Sequence, residues 1–368
     1  MHIISLFNNK GGVGKTTLAY HLACALAELN KKTLMIDLDP QCNLSVYSID
    51  QEDLQKIWVE EDDYISDFDN SRKRDLDRFN NINSTPRTIH YLLKPAEEGT
   101  GELESLPPAL NIRQNLDLIP GRLTLSTYEN KISERWNGAY LGEMLSIRTI
   151  TRIRALAVEY GEMNKYDYVL IDTSPSLGAL NKVIISTVDG FIVPCLPDMF
   201  SLYGIRNIGN SLTQWKKEFM TIYQLISPEK RKYFPEKFVQ FLGYTIYNAR
   251  KYTGVTPWDL ATAHYDYANR IPTTIETYIA VDFLKHITEE MIREPIGVTA
   301  VMHSHNTFPG TSQKYHLPIW DVPNCDCLEA SDKPTIFGNR QKYLDTKQLY
   351  LDFTEALLKR VERLDLYE

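Results

Sequence analysis

Short apolar runs recur along this chain, each closed by polar residues and several followed by a stretch with helical spacing. Ile3-Ile4-Ser5-Leu6-Phe7 is the first, and Leu18, Leu22, Ala25 and Leu29 give the helical period behind it. Thr33-Leu34-Met35-Ile36, Leu116-Asp117-Leu118-Ile119, Tyr168-Val169-Leu170-Ile171, Phe191-Ile192-Val193 and Leu242-Gly243-Tyr244-Thr245-Ile246 repeat the strand pattern. Strands apolar on both sides must be covered on both sides. The pattern therefore predicts an α/β fold with a mostly parallel central sheet flanked by helices on both faces. Leu141, Leu145, Arg148, Arg152, Leu156 and Tyr160 sketch an amphipathic helix in mid-chain. Leu349, Phe353, Leu357, Val361 and Leu364 sketch a final one, with Lys359, Arg360 and Arg363 off its apolar stripe.

Other stretches break the pattern. From Val46 to about Arg87 charged residues dominate, with the acidic cluster Glu60-Glu61-Asp62-Asp63 and the mixed run Arg72-Lys73-Arg74-Asp75; this reads as a solvated surface element, helical in part. Pro95 to Pro108 reads as a loop. Residues about 249 to 315 carry many aromatics, among them Tyr252, Trp258, Tyr265, Tyr267 and Tyr278, which in a large domain belong more often to a core than to a binding face.

The apolar runs end at positions suited to phosphate chemistry. Between the first strand and the first helix stands Lys10-Gly11-Gly12-Val13-Gly14-Lys15-Thr16-Thr17. A glycine-rich turn in that context lets several backbone N–H groups point at one anion, and the helix adds the positive end of its dipole. Lys15 then reaches the β- and γ-phosphates, and the Thr16 hydroxyl is placed to ligate Mg²⁺. The second strand delivers Asp37 and Asp39 to the same crevice, and the strand ending at Asp172 delivers a carboxylate suited to Mg²⁺, held through water.

The loop departs from the common G-x-x-x-x-G-K-[ST] pattern, whose first glycine would fall at Asn9. It closely resembles the deviant Walker A motif of the ParA/MinD ATPases, with Lys10 as their signature lysine. Asp37-Leu38-Asp39-Pro40-Gln41 resembles the second motif of that family, and Thr173-Ser174-Pro175-Ser176-Leu177-Gly178 its switch segment; Pro197 to Gly204 carries its S-L-x-G stretch. The resemblance implies that Asp39 is the catalytic carboxylate that orients water and ligates the metal site, with Asp37 supporting it. By the same match Asn248 recognises the base, and Pro323 and Asn324 pack against the adenine. Thus the expected ATP contacts are Gly11, Gly12, Val13, Gly14, Lys15, Thr16, Thr17, Asn248, Pro323 and Asn324; the metal residues are Thr16, Asp39 and Asp172; the catalytic residues are Lys10, Lys15 and Asp39. Against the family, residues 1–368 form one ATPase domain with insertions at about 48–87 and 249–315.

What the family implies is a Mg²⁺-dependent ATPase whose ATP-bound homodimer closes face to face, binds DNA non-specifically and, with a ParB-like stimulating or adaptor protein, partitions or positions a plasmid, chromosome or other cargo. Two alternatives are a MinD-like membrane-cycling ATPase and an accessory ATPase of a mobile element or defence system acting through a protein partner. The final helix, ending in Asp365 and Glu368, lacks the look of a detachable membrane tail. No helix-turn-helix precedes the loop, which argues against a sequence-specific autorepressor. An iron–sulfur carrier on this fold would need a C-x-x-C, and a tyrosine kinase a tyrosine-rich tail, where only Tyr367 stands in the last ten residues.

Composition changes this picture little. The 368 residues are 43% hydrophobic with a formal net charge of −8, which excludes a surface basic all over but not a local basic patch. Arg148, Arg152 and Arg154 are the clearest basic cluster of the first half, either solvated or in contact with DNA phosphates. No run approaches membrane-spanning length and the first strand starts at once, so a cytoplasmic location is expected, nucleoid-associated with ATP bound. The five cysteines are expected as reduced thiols, and His303, His305, His316, Cys325 and Cys327 lack the spacing of a structural zinc site.

Overall fold

The structure, a computed structural model, describes residues 1–231 and 234–366, so Tyr367 and Glu368 lie outside the described residues. Seven strands form one sheet: β1 (His2–Leu6), β2 (Thr33–Leu38), β3 (Leu110–Arg113), β4 (Leu116–Ile119), β5 (Tyr168–Thr173), β6 (Gly190–Cys195) and β7 (Gln240–Ile246), in the order β3-β4-β2-β5-β1-β6-β7. Every pairing is parallel except β3 with β4. The expected α/β sheet is therefore present, with one antiparallel edge strand that the apolar pattern did not reveal, because β3 is only half-buried.

Alternation along the strands divides the core in two. Ile3 and Phe7 of the first run join Leu34, Ile36, Val169, Ile171 and Phe191 under helices Ile89–Glu98, Ser126–Tyr140, Met144–Asn164, Ala179–Thr187 and Met199–Leu225. Ile4 and Leu6 join Met35, Leu170, Ile192 and Leu242 under α1 (Lys15–Glu28) and the C-terminal helix Arg340–Leu366. Arg360, which lies off the apolar stripe in sequence, is 5% exposed and donates to the carbonyls of Leu242 (3.1 Å) and Met291 (2.8 Å), so it ties that helix to β7.

The charge-rich segment 48–87 folds as three consecutive helices, Gln51–Ser66, Phe68–Arg74 and Leu76–Ile82. Each starts at an aspartate whose carboxylate accepts a first-turn amide: Asp50 from Glu52, Asp67 from Asn70 and Asp75 from Arg78. Leu54, Tyr64 and Phe68 are buried on their inner faces, and the rings of Tyr64 and Phe68 pack on Phe79 of the same segment and on Tyr91 of helix Ile89–Glu98, so the segment is an anchored lobe with a charged outer face. In 249–315, Trp258, Tyr265 and Tyr267 pack against the core, whereas Tyr252 is exposed.

Local departures from the sequence reading have physical causes. Helix Ile89–Glu98 runs through Pro95 instead of yielding to a loop; His90 and Lys94 grip Glu97 (2.8 and 3.2 Å) across its last turns, and Gly99, at φ 78°, ends it. The mid-chain helix is interrupted at Leu141, exposed beside the left-handed Gly142. Cys325 and Cys327 are joined as a disulfide, contrary to the expectation of five reduced thiols: two residues apart on a loop, with Cα atoms 5.3 Å apart, they are within bridging reach. Cys24, Cys42 and Cys195 are free and buried. No helix among the described residues is long and apolar enough to cross a membrane.

Candidate functional site

The carboxyl ends of β1, β2 and β5 meet at one point because their registers align: Leu6 lies beside Asp172, and Asp172 beside Asp37. Into that edge opens a cavity of about 500 Å³, lined by Gly11 through Thr17, Asp39, Tyr47, Pro175, Pro309 and Gly310 among others. Gly12 (φ 72°) and Gly14 (φ 79°) take the left-handed conformation that turns the loop into α1. A side chain at Gly14 would strike the buried ring of Tyr247, with its Cβ only 2.3 Å from Cδ1.

The charges around the loop are arranged for an anion and a cation. Lys15 is buried and donates to the carbonyls of Asn8 (3.2 Å) and Lys10 (3.4 Å). Burial lowers its pKa, opposed by the nearby Asp172 and Asp39. Thr16 donates its hydroxyl to Asp172 Oδ2 at 2.7 Å, while Asp172 Oδ1 is buried with no hydrogen-bond partner. Burial, followed by the proximity of Asp37, pushes Asp172 up to about 7. An orphaned carboxylate oxygen beside a threonine hydroxyl fits a hydrated divalent cation, so Thr16 and Asp172 suit Mg²⁺.

Asp39 is 4% exposed and accepts the Gln41 amide at 2.9 Å and the Asn43 side-chain amide at 3.3 Å. Asp37 lies one layer behind it. Its Oδ2 accepts the amide and hydroxyl of Ser45 (2.8 and 2.6 Å), and its Oδ1 accepts the Asp39 amide at 3.2 Å. Burial raises Asp37 to about 6 despite the Ser45 bonds.

Lys10 stands at the mouth of the loop. Its ammonium pairs with Asp198 and lies 5.3 Å from the centre of the exposed Phe200 ring. Asp198 also caps helix Met199–Leu225 by accepting the Ser201 amide. Burial alone would raise Asp198; Lys10 and the Ser201 amide outweigh it and hold its carboxyl below the usual range. In the switch segment, Asn181 donates to the carbonyls of Ser174 and Ser176, both at 2.8 Å.

Of the residues singled out in the sequence, Gly11 to Thr17 and Asp39 line one cavity, with Lys10 at its mouth and Asp172 bonded to Thr16. Asn248, Pro323 and Asn324 do not line it. Asn248 is exposed at φ 58°, and the Pro323 carbonyl and Asn324 side chain accept from Arg340. Pro309 and Gly310 line the cavity as well. The sequence reading missed them, as it missed Tyr247 and Asp198; only Asp198 left a local signal, an aspartate opening a helical stretch.

The basic cluster of the first half is occupied with structure. Arg148 pairs with Glu102 (2.5 Å), Arg152 with Glu159 (2.7 Å) and Arg154 with Asp189 (2.9 Å). By contrast, the exposed Arg206, Arg250, Lys251 and Arg270 have no ion-pair partner among the described residues, and Arg206 only overlies Tyr278. The histidines are dispersed. His303 faces the Trp258 carbonyl, His316 that of Tyr47, and His305 lies beside the rings of Tyr247 and Tyr350. Among the described residues no group of three or more His, Cys, Asp or Glu is placed to hold a metal.

A family model described as an AAA domain, AAA_31, matches residues 1–225. The uncharacterized protein MJECL24 of Methanocaldococcus jannaschii is 33% identical over 219 residues, which are 59% of this chain and 67% of that protein. The sporulation initiation inhibitor protein Soj of Bacillus subtilis is 28% identical over 220 residues, 60% of this chain and 68% of Soj. The structure of pNOB8 ParA superposes with a TM-score of 0.53, and its structure bound to nonspecific DNA with 0.50; each is 17% identical and covers 98% of both chains, a likeness of fold. The phosphate loop that opens on Lys10, the carboxylates on β2 and β5, and these matches agree: the chain belongs to the AAA domain family AAA_31 and is a P-loop ATPase of the ParA/MinD type.

Proposed function

We propose that the chain is a Mg²⁺-dependent ATPase of the ParA kind, in which ATP closes two copies face to face, the dimer binds DNA without sequence preference, and hydrolysis releases it. The observation that carries the reading is the convergence of Lys10, Lys15, Asp39 and Asp172 on one edge of the sheet. ATP is the substrate. The loop amides from Gly11 to Thr17 and Lys15 bind its phosphates, and Lys10 reaches out to the partner's nucleotide once it leaves Asp198. Asp39 orients water for attack on the γ-phosphorus; the bond to the bridging oxygen breaks, giving ADP and inorganic phosphate. Thr16 and Asp172 would hold Mg²⁺, which would supply positive charge to offset the phosphate oxygens.

The DNA arm of the reading is supported by the solved structure of pNOB8 ParA bound to nonspecific DNA and by the unpaired cations of this chain. Arg206 lies on the helix that Asp198 caps, and Arg250 and Lys251 follow β7, so these charges flank the same sheet edge as the loop. A ParB-like protein that stimulates hydrolysis, and a nucleoid-associated ATP state in the cytoplasm, complete the proposal. Phosphate release from Mg²⁺-ATP, compared among wild type, Lys15→Ala and Asp39→Ala, tests its enzymatic part. Activity in the wild type, lost in both variants with ATP binding kept only in Asp39→Ala, supports it; equal activity in Asp39→Ala contradicts it.

A further inference from the structure

The helical lobe of residues 51–82 is far from the phosphates in sequence, yet a continuous line of hydrogen bonds connects it to Asp39. It begins at Trp58 on helix Gln51–Ser66, whose indole Nε1–H donates to the Gly121 carbonyl at 3.0 Å. The Gly121 amide donates to Ser45 Oγ at 2.7 Å. Ser45 donates its hydroxyl and its amide to Asp37 Oδ2, and Asp37 Oδ1 accepts the Asp39 amide. Arg122 grips the lobe at the same turn: it donates to the Trp58 carbonyl at 2.7 Å and pairs with Glu61 and Asp62.

The line leaves little slack. Ser45, Asp37 and Glu61 are fully buried, and a Cβ on Gly121 would lie 3.0 Å from the Asp37 carboxyl carbon. Moving the Gly121-Arg122 turn therefore moves Asp37, and with it the backbone that aims Asp39. None of these hydrogen bonds runs to the phosphate loop: Lys15 donates to the Asn8 carbonyl just after β1, and Thr16 to Asp172 on β5.

From these contacts we infer that the lobe sets the hydrolytic geometry of the site, with Trp58 as a positioning residue that acts on Asp39 through Gly121, Ser45 and Asp37. The inference rests on the proposed role of Asp39. It assigns to the helical lobe a control over the rate of hydrolysis that is separate from nucleotide binding.

The test is steady-state ATP hydrolysis by the full chain carrying Trp58→Phe, which keeps a ring but removes the N–H donor, together with Ser45→Ala, the double variant, and Lys56→Ala as a control on the exposed side of the same helix. The expected result for Trp58→Phe is a kcat about three- to tenfold lower with KM for ATP and ADP affinity within about twofold of wild type, the size typical of coupling through packed networks. Ser45→Ala lowers kcat likewise, the double variant is no worse than Ser45→Ala alone, and Lys56→Ala is unchanged. An unchanged kcat in Trp58→Phe, a matching loss of ATP affinity, or simple additivity of the two substitutions overturns the relay. Should Trp58→Phe lose its folded circular dichroism spectrum, Ser45→Ala alone decides by the same split. A wild type that does not hydrolyse ATP refutes the ATPase reading itself, whereas a hydrolysing wild type insensitive to both changes refutes only the relay.

Discussion

Asp172→Asn is expected to stabilise the nucleotide-free protein at alkaline pH while abolishing its response to Mg²⁺-ATP. The carboxyl is fully buried, faces Asp37, and has one oxygen without a partner; its pKa rises from 3.8 to about 7. Between those values the folded state holds a proton that the unfolded chain releases, so this group's contribution to stability falls as pH rises from about 4 to 7. The full rise corresponds to roughly 4 kcal/mol above pH 7. The attraction of Lys15 for the carboxylate is already contained in that value, and a net gain of about 2 to 4 kcal/mol is expected. For a chain of 368 residues that is a rise in Tm of about 3 to 5 °C. Calorimetric melts in EDTA at pH 5 and pH 8.5 read it directly: the variant melts higher at pH 8.5, and the gap narrows to well under half at pH 5, where the folded wild-type carboxyl keeps its proton and only the ionisation of the unfolded chain still counts against it. Adding Mg²⁺-ATP raises the wild-type Tm and leaves the variant nearly unmoved. A variant less stable than wild type at pH 8.5 without metal, or a gap independent of pH, would refute the view of Asp172 as a carboxylate waiting for a cation.

Three further outcomes follow from the same geometry. Gly14→Ala weakens ATP binding tenfold or more in titration calorimetry, since a left-handed alanine costs about 1–2 kcal/mol before its clash with Tyr247 is counted. Lys10→Ala keeps ATP binding but stays monomeric in analytical ultracentrifugation with ATP, whereas Asp39→Ala accumulates the dimer. Replacing Arg206, Arg250, Lys251 and Arg270 by alanine lowers the slope of log affinity for duplex DNA against log salt by up to about 3.6, at about 0.9 per phosphate contact, while the same change at Arg148 and Arg152 leaves it in place because those side chains serve Glu102 and Glu159.

The phosphate loop and the strand carboxylates were legible because their function is local: a turn between a strand and a helix, and an acid at a strand's end, announce themselves in a few consecutive residues. Walls assembled from distant segments were not. Pro309 and Gly310 reach the cavity from a region with little regular pattern, and Tyr247 matters because its ring occupies the space beneath Gly14. Charge was the least legible feature. Arg148, Arg152 and Arg154 stand out in the sequence but are neutralised by Glu102, Glu159 and Asp189, while the unpaired Arg206, Arg250 and Arg270 are scattered singly along the chain. The lobe at 51–82 looked like solvated surface for the same reason: its outer face dominates its composition, whereas its aspartate caps and the inward Trp58, Tyr64 and Phe68 decide its structure.

The ATP-driven DNA switch is tested most directly by binding to random-sequence duplex DNA in ATP and in ADP, over a salt series, for wild type and Asp39→Ala. It predicts binding with ATP and not with ADP, weakening as salt rises and lasting longer in Asp39→Ala, where hydrolysis no longer releases the complex. Binding that is absent in every nucleotide state, or equal in ATP and ADP, would contradict the ATP-driven DNA switch.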